Sequence, residues 1–294
     1  MHTPTAPALR ALYDVPAPAK LNLFLHVVGQ RPDGYHLLQS VFVLIDWADT
    51  LHFERRSDGR LTRQDLNAQA PALPAQDLVL RAASALQQAT GCPWGADIAL
   101  DKQLPQEAGL GGGSSDAAST LLALNRLWQL QLPLGQLMQI GAGLGADVPF
   151  FLGGRHAWVE GIGERLRPLA LPQQRYLVIR PGAGVATPRI FGSPHLQRNT
   201  KPVTMEDFVA SDDVASPAGG FGHNDLQAVA QALCPDITRA LQWLQARGLP
   251  GRMTGSGSAV FARLAHDLDL SDLPAHWTAR HCNNLTEHPL IGWR

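Results

Sequence analysis

The chain has 294 residues, and its 24 Lys and Arg against 25 Asp and Glu leave a formal net charge of −1. At about 150 residues per domain this length predicts two domains, and a composition of 17% charged and 45% hydrophobic residues excludes a disordered chain. The balanced charge argues against a nucleic-acid partner. The three cysteines form no CxxC pair, so neither a disulfide framework nor a cysteine zinc site is expected. The 28 glycines and 22 prolines exceed the average share, which indicates low complexity or many special backbone positions.

The N-terminus and the longest apolar runs give no targeting signal. Residues 1–18 are rich in Pro and Ala but lack a basic start followed by an apolar core, so we expect no secretory signal. The runs Leu21–Leu25 and Val41–Ile45 have the length of strands and fall far short of the roughly 20 residues of a membrane span. A soluble cytoplasmic protein with reduced cysteines and no membrane partner is therefore expected.

Strand and helix signals follow one another through the first half of the sequence. Residues 1–18 are expected to be loose. Turn-forming residues at Arg31–Gly34 separate the first two strands, and the polar residues Ala48–Thr50 separate the second from the third. The predicted elements, in chain order, are strands at Ala19–Val28, Val41–Asp46 and Leu51–Glu54, a helix at Asp77–Thr90 that ends at Gly91, a strand at Ala96–Leu100, and helices from the glycine cluster to about Leu130 and at Gly135–Ala142.

The second half begins again with a strand, after Pro and basic residues cluster near residues 166–174. Residues 187–213 are irregular and polar, and Pro235 is expected to break a long helical stretch. The predicted elements are a strand at Arg175–Arg180, two helices within Asn224–Gly248, and strands at Met253–Ala262 and Thr278–Asn283 around an acidic helical segment. Helix and strand without strict alternation indicate an α+β protein. We divide it into an N-terminal domain, residues 1–166, and a C-terminal domain, residues 167–294.

The strongest chemical signal is the segment Pro105–Asp116, in which a strand leads through a glycine cluster to two serines and a helix. Glycines permit positive φ and close backbone approach, so successive N–H groups can converge on an anion. Ser114 or Ser115 is expected to cap the helix, whose N-terminus adds partial positive charge. The segment therefore predicts a phosphate-binding loop. The alternative is a flexible connector or a glycine-mediated packing turn.

The commoner nucleotide and hydrolase motifs do not fit this chain. A Walker loop requires Gly-Lys-Ser/Thr, whereas Asp116 follows Ser115 here. The sequence has no GxGxxG with a dinucleotide-type continuation, no protein-kinase motifs and no GxSxG elbow. Its eleven histidines have no metal-binding spacing, and His26, within an apolar strand, is expected to be structural.

The glycine segment carries a family resemblance. Pro105–Ala118 closely resembles the nucleotide-binding motif of the GHMP kinases, and Pro18–Leu23 and Met253–Ala259 fall where that family has its other motifs. The resemblance implies an N-terminal nucleotide-binding α/β domain with the glycine-rich loop and a C-terminal ferredoxin-like α+β domain. It also implies an ATP-dependent small-molecule kinase, with Mg²⁺ arriving on the ATP phosphates and no protein metal ligand assigned. The nucleotide contacts that it implies are Pro105, Gln106, Glu107, Ala108, Gly109, Leu110, Gly111, Gly112, Gly113, Ser114 and Ser115.

Three further segments, Gln30–His36, Gly145–Phe151 and Asn224–Leu226, resemble one branch of this family. That branch phosphorylates the 2-hydroxyl of 4-diphosphocytidyl-2-C-methyl-D-erythritol, a cytidine diphosphate-linked methylerythritol of the non-mevalonate route to isoprenoid precursors. The resemblance implies a cytosine held by aromatic stacking and hydrogen bonds, which is physically reasonable because stacking supplies affinity and polar edges supply selectivity. The substrate-side residues that it implies are Asn22, Tyr35, His36, Thr187, Phe191 and Gly255.

Two charged residues lie in apolar surroundings, Lys20 in a strand and Asp147 between small and apolar neighbours. Read alone, Lys20 could reach water from an edge strand and Asp147 could cap a turn or helix; charges of this kind also cluster at functional sites. The resemblance implies a catalytic pair. Asp147 accepts the proton of the attacking hydroxyl, and Lys20 orients the carboxylate and lowers the pKa of the hydroxyl.

Two alternatives stay open. One is another GHMP-type kinase, of the homoserine or mevalonate class, and the other is a non-catalytic nucleotide-binding regulator. Tyr35, His36 and Phe191 argue against the first, because those substrates carry no base to stack. Lys20 and Asp147 argue against the second. One departure from the family pattern is Asp77, where relatives often have an asparagine near the adenine, because an ionised carboxylate cannot donate a hydrogen bond.

Overall fold

Two β-sheets, one from each half of the chain, organise the fold. The structure is a computed structural model that describes residues 9–68, 72–211 and 220–294. The prediction of a loose N-terminus is wrong from Ala11 onward, where the first strand begins; residues 1–8 lie outside the described part of the chain. Within the described ranges, no helix is both long and apolar enough to cross a membrane.

The first sheet is built around a long hairpin. β1 (Ala11–Gln30) and β2 (His36–Arg56) pair antiparallel, and the predicted turn joins them, with Gly34 N–H donating to the Arg31 carbonyl at 2.9 Å. The other strands are β3 (Leu61–Asp65), β4 (Gly95–Asp101), β5 (Ala157–Glu160) and β6 (Arg165–Pro168). Their order is β3-β4-β2-β5-β6, with β1 paired to β2 and β3 parallel to β4.

The prediction of two strands separated at Ala48–Thr50 is wrong, because β2 continues through this segment. Asp49 is fully buried within it. Its carboxylate accepts the N–H groups of Gln103 at 2.6 Å and Leu104 at 2.7 Å. A buried carboxylate with such partners is stabilised in place, so the polar residue anchors the connection after β4 and does not end the strand.

Four helices follow in the first half: α1 (Leu78–Thr90), α2 (Gly112–Leu127), α3 (Leu134–Leu144) and α4 (Val148–Gly153). The prediction for α1 is confirmed at both ends. Asp77 is the N-cap and accepts the Leu80 N–H, and Gly91 ends the helix at φ 64°, in the left-handed region that favours glycine. α2 is buried along nearly its whole length, so it forms the centre of the helical layer.

The second sheet contains β7 (Arg175–Arg180), β8 (Arg252–Met253), β9 (Val260–Leu264) and β10 (Thr278–Asn283) in the antiparallel order β10-β7-β9-β8. The helices of this half are α5 (Thr187–Phe191), α6 (Met205–Ala210), α7 (Gln227–Leu233) and α8 (Pro235–Gln245). Pro235 divides α7 from α8 as predicted. The whole is the predicted α+β architecture, and the boundary between the proposed domains at residue 166 lies within β6.

Three predictions for the second half are corrected. Met253–Ala262 is not one strand: β8 and β9 form a hairpin around residues 254–259. The acidic segment before β10 contains no helix, which agrees with the turn chemistry of its Ser-Asp and Pro residues. Residues 187–211 contain the two short helices α5 and α6 and are thus more regular than expected. The last two residues of that predicted segment, 212–213, lie outside the described ranges.

Both faces of β1 are buried, and this positions its polar residues. Ala19 and Leu21 belong to a core cluster that also contains Phe261 of the second sheet. Because side chains alternate along a strand, Lys20 and Asn22 lie on the opposite face. These two polar residues are therefore enclosed by the fold and do not lie at a solvent-exposed edge.

We expect a pH-dependent contribution of His156 to stability. Burial lowers its pKa to about 4, and its Nδ1 accepts the Leu44 N–H at 3.2 Å. The unfolded imidazole binds a proton near pH 6.5 and the folded one only near pH 4, so this contribution is present above pH 6.5 and is lost as the pH falls toward 4. The loss is at most ~3 kcal/mol.

Urea denaturation between pH 4.5 and pH 7.5 measures this effect. His156→Gln is expected to flatten the decline in the free energy of unfolding at low pH, whereas the same change at the exposed His266 leaves the decline unaltered. Parallel pH profiles for the parent and His156→Gln proteins would contradict the assignment.

Candidate active site

A cleft of ≈ 1070 Å³ lies between the two halves of the chain. It is lined by the glycine-rich loop, by residues of β1 and the turn after it, by Asp147 before α4, and by α5 and the β8–β9 hairpin. The structure brings almost all the predicted site residues together here. The predicted residues that line the cleft are Lys20, Asn22, Tyr35, His36, Pro105, Gln106, Glu107, Ala108, Gly109, Leu110, Gly111, Gly112, Gly113, Ser114, Asp147, Thr187, Phe191 and Gly255.

The carbonyl groups of the glycine-rich loop are bound by neighbouring segments. Those of Glu107 and Ala108 accept the N–H groups of Ser258 and Ala259, each at 3.1 Å, and the Leu110 carbonyl accepts the Lys20 N–H at 2.9 Å. The first two donors belong to the second half of the chain and the third to β1. The loop is therefore fixed between the two halves with its acceptors already occupied.

The N–H groups of the same loop remain available. Within the described ranges, none of those from Glu107 to Ser114 donates to a protein acceptor. Glu107, Gly109 and Gly111 have φ angles of 51°, 73° and 72°, which alternate with residues of negative φ. Alternation of this kind directs successive N–H groups into one concavity and makes an anion site. The loop therefore has the backbone geometry of an anion site, and phosphate binding by it stays a prediction.

The predicted serine cap of α2 is wrong. Gly111 is the N-cap, and Ser115 lies inside the helix, fully buried. The Ser115 hydroxyl donates to the Pro18 carbonyl at 2.6 Å and its N–H donates to the Gly111 carbonyl at 2.9 Å. Ser115 therefore fastens α2 to β1 and does not line the cleft, and we remove it from the proposed nucleotide contacts.

Sequence reasoning missed a buried ionic cluster beneath the loop. Lys102 Nζ contacts the carboxylates of Asp49 and, at 2.7 Å, Asp116. Burial acts to lower the pKa of Lys102, but Asp116 and Asp49 outweigh it and raise that pKa. Burial raises the pKa of Asp116. The one signal for this cluster in the sequence was the position of Lys102 directly before the loop. Asp49 is distant from Lys102 in sequence, and Asp116 lies within α2.

Lys20 and Asp147, for which a catalytic role is predicted, lie together in the cleft. Lys20 is 3% exposed, and its Nζ lies 3.7 Å from Asp147 Oδ2. The same ammonium donates to the side-chain carbonyl of Asn22 and lies 4.6 Å from the centroid of the Phe42 ring. Burial lowers the pKa of Lys20, and the charge of Asp147 partly offsets this. Asp147 is the more accessible partner, with 30% of its side chain exposed, so its carboxylate can meet a ligand while Lys20 holds it.

The predicted substrate-side residues come from both halves. The ring centroids of His36 and Phe191 lie 4.8 Å apart. Tyr35, next to His36 on the turn after β1, is 59% exposed. Thr187 Oγ1 lies 2.6 Å from Ser256 Oγ, which links α5 to the β8–β9 hairpin. The aromatic residues therefore form one end of the cleft, and the glycine-rich loop forms another part of its wall.

Gly109 and Gly255 let the loop and the hairpin touch. Their φ angles are positive, and a Cβ at Gly109 would lie 2.1 Å from the Thr254 carbonyl oxygen, while one at Gly255 would lie 2.9 Å from the Gly109 carbonyl oxygen. The hairpin residues Thr254, Gly255 and Gly257 therefore lie directly against the glycine-rich loop. A side chain at either position would separate the two segments.

Gly109→Ala is expected to lower the free energy of unfolding by at least ~1–2 kcal/mol, because it combines a left-handed conformation with a backbone clash. Gly143→Ala is the matched control: it lies in α3 with nothing within 4 Å of the added Cβ, so it is expected to be neutral or stabilising by up to ~1 kcal/mol. Urea denaturation measures both, and equal stabilities of the two variants would contradict the packing described for the loop.

Comparison with known proteins identifies the family. The model of the GHMP kinase N-terminal domain matches residues 77–155, and the model of the GHMP kinase C-terminal domain matches residues 208–283. The chain therefore belongs to the GHMP kinase family, a family of ATP-dependent small-molecule kinases. The solved structure of homoserine kinase from Cytophaga hutchinsonii shares the fold, with a TM-score of 0.67 at 14% identity over 98% of both chains.

Closer relatives lie within one branch. The chain is 61% identical over 289 residues to the 4-diphosphocytidyl-2-C-methyl-D-erythritol kinase of Polaromonas naphthalenivorans, with 97% of each chain covered. It is 58% identical to the kinase of the same name from Delftia acidovorans, covering 97% of this chain and 98% of the relative. A crystal structure of 4-(cytidine 5'-diphospho)-2C-methyl-D-erythritol kinase matches with a TM-score of 0.75 and 36% identity, over 92% of this chain and 98% of that chain.

Proposed function

We propose that this kinase phosphorylates the 2-hydroxyl of 4-diphosphocytidyl-2-C-methyl-D-erythritol with ATP, in the non-mevalonate route to isoprenoid precursors. The observation that carries the proposal is 61% identity over nearly the whole chain to a kinase named for that substrate. The cleft supports it, because a phosphate-type loop, a Lys–Asp pair and an aromatic end line one continuous space. Homoserine and mevalonate offer no base to the aromatic end, so the alternative substrates fit it less well.

The proposed chemistry centres on Asp147. Its carboxylate accepts the proton of the attacking hydroxyl, which phosphoryl transfer requires of a base placed on the nucleophilic oxygen. Lys20, 3.7 Å away, orients this carboxylate and favours the developing alkoxide by its positive charge. The Asn22 side chain holds Lys20 through its carbonyl and donates from Nδ2 to Ser40 Oγ at 3.0 Å. The pair is thus fixed before substrate arrives.

ATP is proposed to place its phosphates against the N–H groups of the loop and the first turn of α2, where the helix dipole also favours negative charge. Mg²⁺ is proposed to accompany the phosphates and to neutralise their charge. Two oxygen groups fit a hard cation at the cleft: Asp116 Oδ1 has no hydrogen-bond partner among the described residues, and Asp147 is partly exposed. The described chain holds no group of three or more metal-binding side chains, so the phosphates supply most of the ligands.

The cytosine is proposed to bind at the aromatic end of the cleft. Tyr35 and Phe191 would stack on the base, and His36 would bond its polar edge. Thr187 and Gly255 would shape the wall between the base and the phosphate loop. Asp77 is proposed to contribute less to adenine recognition than an asparagine would, because an ionised carboxylate cannot donate a hydrogen bond.

The remaining proposals concern the domain boundaries, the cellular location and the partner. We propose that residues 1–166 and 167–294 form the two domains, with the catalytic residues and phosphate loop in the first, and that the protein acts in the cytoplasm. The location is supported by three buried free cysteines, which is usual where thiols stay reduced. The proposed partner is the small-molecule substrate.

An ADP-release assay with ATP tests the function. We expect turnover with the diphosphocytidyl substrate and none with homoserine or mevalonate. Asp147→Asn is expected to lower kcat by at least about 10²-fold, in line with loss of general-base catalysis, while ATP affinity and the unfolding midpoint stay near the parent values. Asp272→Asn, which removes an exposed carboxylate paired with Arg247, is the control and keeps full turnover.

Two outcomes would contradict this account separately. Turnover with homoserine or mevalonate alone would replace the substrate assignment and leave the kinase class intact. Near-normal turnover of Asp147→Asn with the diphosphocytidyl substrate would remove Asp147 from the catalytic role.

A further inference from the structure

One arginine joins the two sides of the aromatic end of the cleft. Arg198 Nε donates to His36 Nε2 at 3.0 Å. Its terminal nitrogens donate to the carbonyl groups of Phe191 at 2.9 Å, Ser193 at 2.8 Å and Leu196 at 3.0 Å. His36 follows the β1–β2 turn and Phe191 ends α5, so one half-buried guanidinium connects the first and second halves of the chain. Arg198 itself does not line the cleft.

The bond to His36 determines where that imidazole carries its proton. A guanidinium has five donors and no acceptor, so His36 Nε2 must offer a lone pair to Arg198. An imidazole whose Nε2 accepts is neutral and carries its proton on Nδ1. The imidazolium form is disfavoured as well, and burial together with the charge of Arg198 lowers the pKa of His36.

We infer that Arg198 is a positioning residue that fixes His36 as the neutral tautomer protonated on Nδ1 and sets His36 and Phe191 as a preformed base-binding subsite. His36 Nδ1 has no partner among the described residues, so its N–H is available to a ligand. For the identity of the base, the inference rests on the proposed function. A fixed donor suits the unprotonated ring nitrogen N3 of cytosine and opposes the N3–H of uracil.

Selectivity for cytosine over uracil then follows from the hydrogen-bond donors that uracil would leave unpaired. A site built to donate one hydrogen bond discriminates strongly against a ligand that presents a second donor at that position, because both donors are left desolvated and unbonded. If His36 could exchange tautomers freely, its Nδ1 could accept from uracil as readily as it donates to cytosine. Arg198 removes that freedom without contacting the ligand.

Three variants separate the two roles of Arg198. Arg198→Met removes every donor. Arg198→Gln keeps an N–H donor on the same side-chain carbon that bears the arginine Nε. It loses the terminal nitrogens that bond the carbonyls of Phe191, Ser193 and Leu196. Arg189→Met, on the exposed face of α5, removes the same charge without touching His36 and is the control.

The first readout is independent of turnover. In ¹⁵N-histidine spectra of the whole protein, with His36 assigned by its loss in His36→Gln, we expect a protonated Nδ1 and an unprotonated Nε2. Arg198→Met should give a mixture of tautomers, and Arg198→Gln should keep the parent form. A protonated Nε2 in the parent protein, or an unchanged tautomer in Arg198→Met, would overturn the inference. This readout does not need turnover, so it stays decisive if the proposed function fails.

The second readout is kinetic. For Arg198→Met we expect KM for the diphosphocytidyl substrate to rise about tenfold or more, as for a lost charge-assisted bond, with kcat and the KM for ATP little changed. The preference for the cytidine over the uridine substrate should shrink in Arg198→Met and persist in Arg189→Met. An equal loss of kcat for both substrates, with the preference intact, would show a merely structural role and overturn the inference.

Discussion

The site depends on how the backbone of the glycine-rich loop is hydrogen-bonded. Its carbonyl groups are occupied on one side by Lys20 of β1 and on the other by Ser258 and Ala259 of the β8–β9 hairpin. Each residue carries one donor and one acceptor. Outside segments bond the carbonyls, whereas the N–H groups from Glu107 to Ser114 donate to no acceptor in the described part of the chain. Both halves of the chain supply these bonds, so the backbone of the proposed anion site is held by contacts from both.

The same strand positions the proposed catalytic pair. The Lys20 backbone bonds the loop while its side chain, on the buried face of β1, reaches Asp147. A Cβ at Gly111 would lie 3.1 Å from Lys20 Cγ, so the loop needs a residue without a side chain here to approach the lysine. One short stretch of β1 thus contacts both the proposed phosphate loop and the proposed proton acceptor.

The two buried lysines that line the cleft are paired with carboxylates before any ligand binds. Lys20 is paired with Asp147, and Lys102 with Asp49 and Asp116. We therefore propose that the ATP phosphates are attracted by backbone dipoles and the α2 N-terminus, which agrees with a kinase of net charge −1 and a local excess of glycine. The excess marks special backbone positions and not low complexity.

Sequence reasoning succeeded where the signal is local. The glycine loop, the helical spacing of α1 with its stop at Gly91 and the break at Pro235 are encoded by neighbouring residues. It failed where a residue that is distant in sequence determines the local structure. Asp49 did not end β2, because residues 103 and 104 bond its carboxylate, and Ser115 did not cap α2, because the Pro18 carbonyl takes its hydroxyl.

The central claim is that unpaired amides of the loop bind the ATP phosphates. Amide chemical shifts of the ¹⁵N-labelled protein, titrated with a non-hydrolysable ATP analogue and separately with adenosine, test it most directly. The account predicts large shifts for the amides of Gly109 to Ser114 with the analogue and small ones with adenosine. Binding of the analogue that leaves these amides unmoved would contradict it.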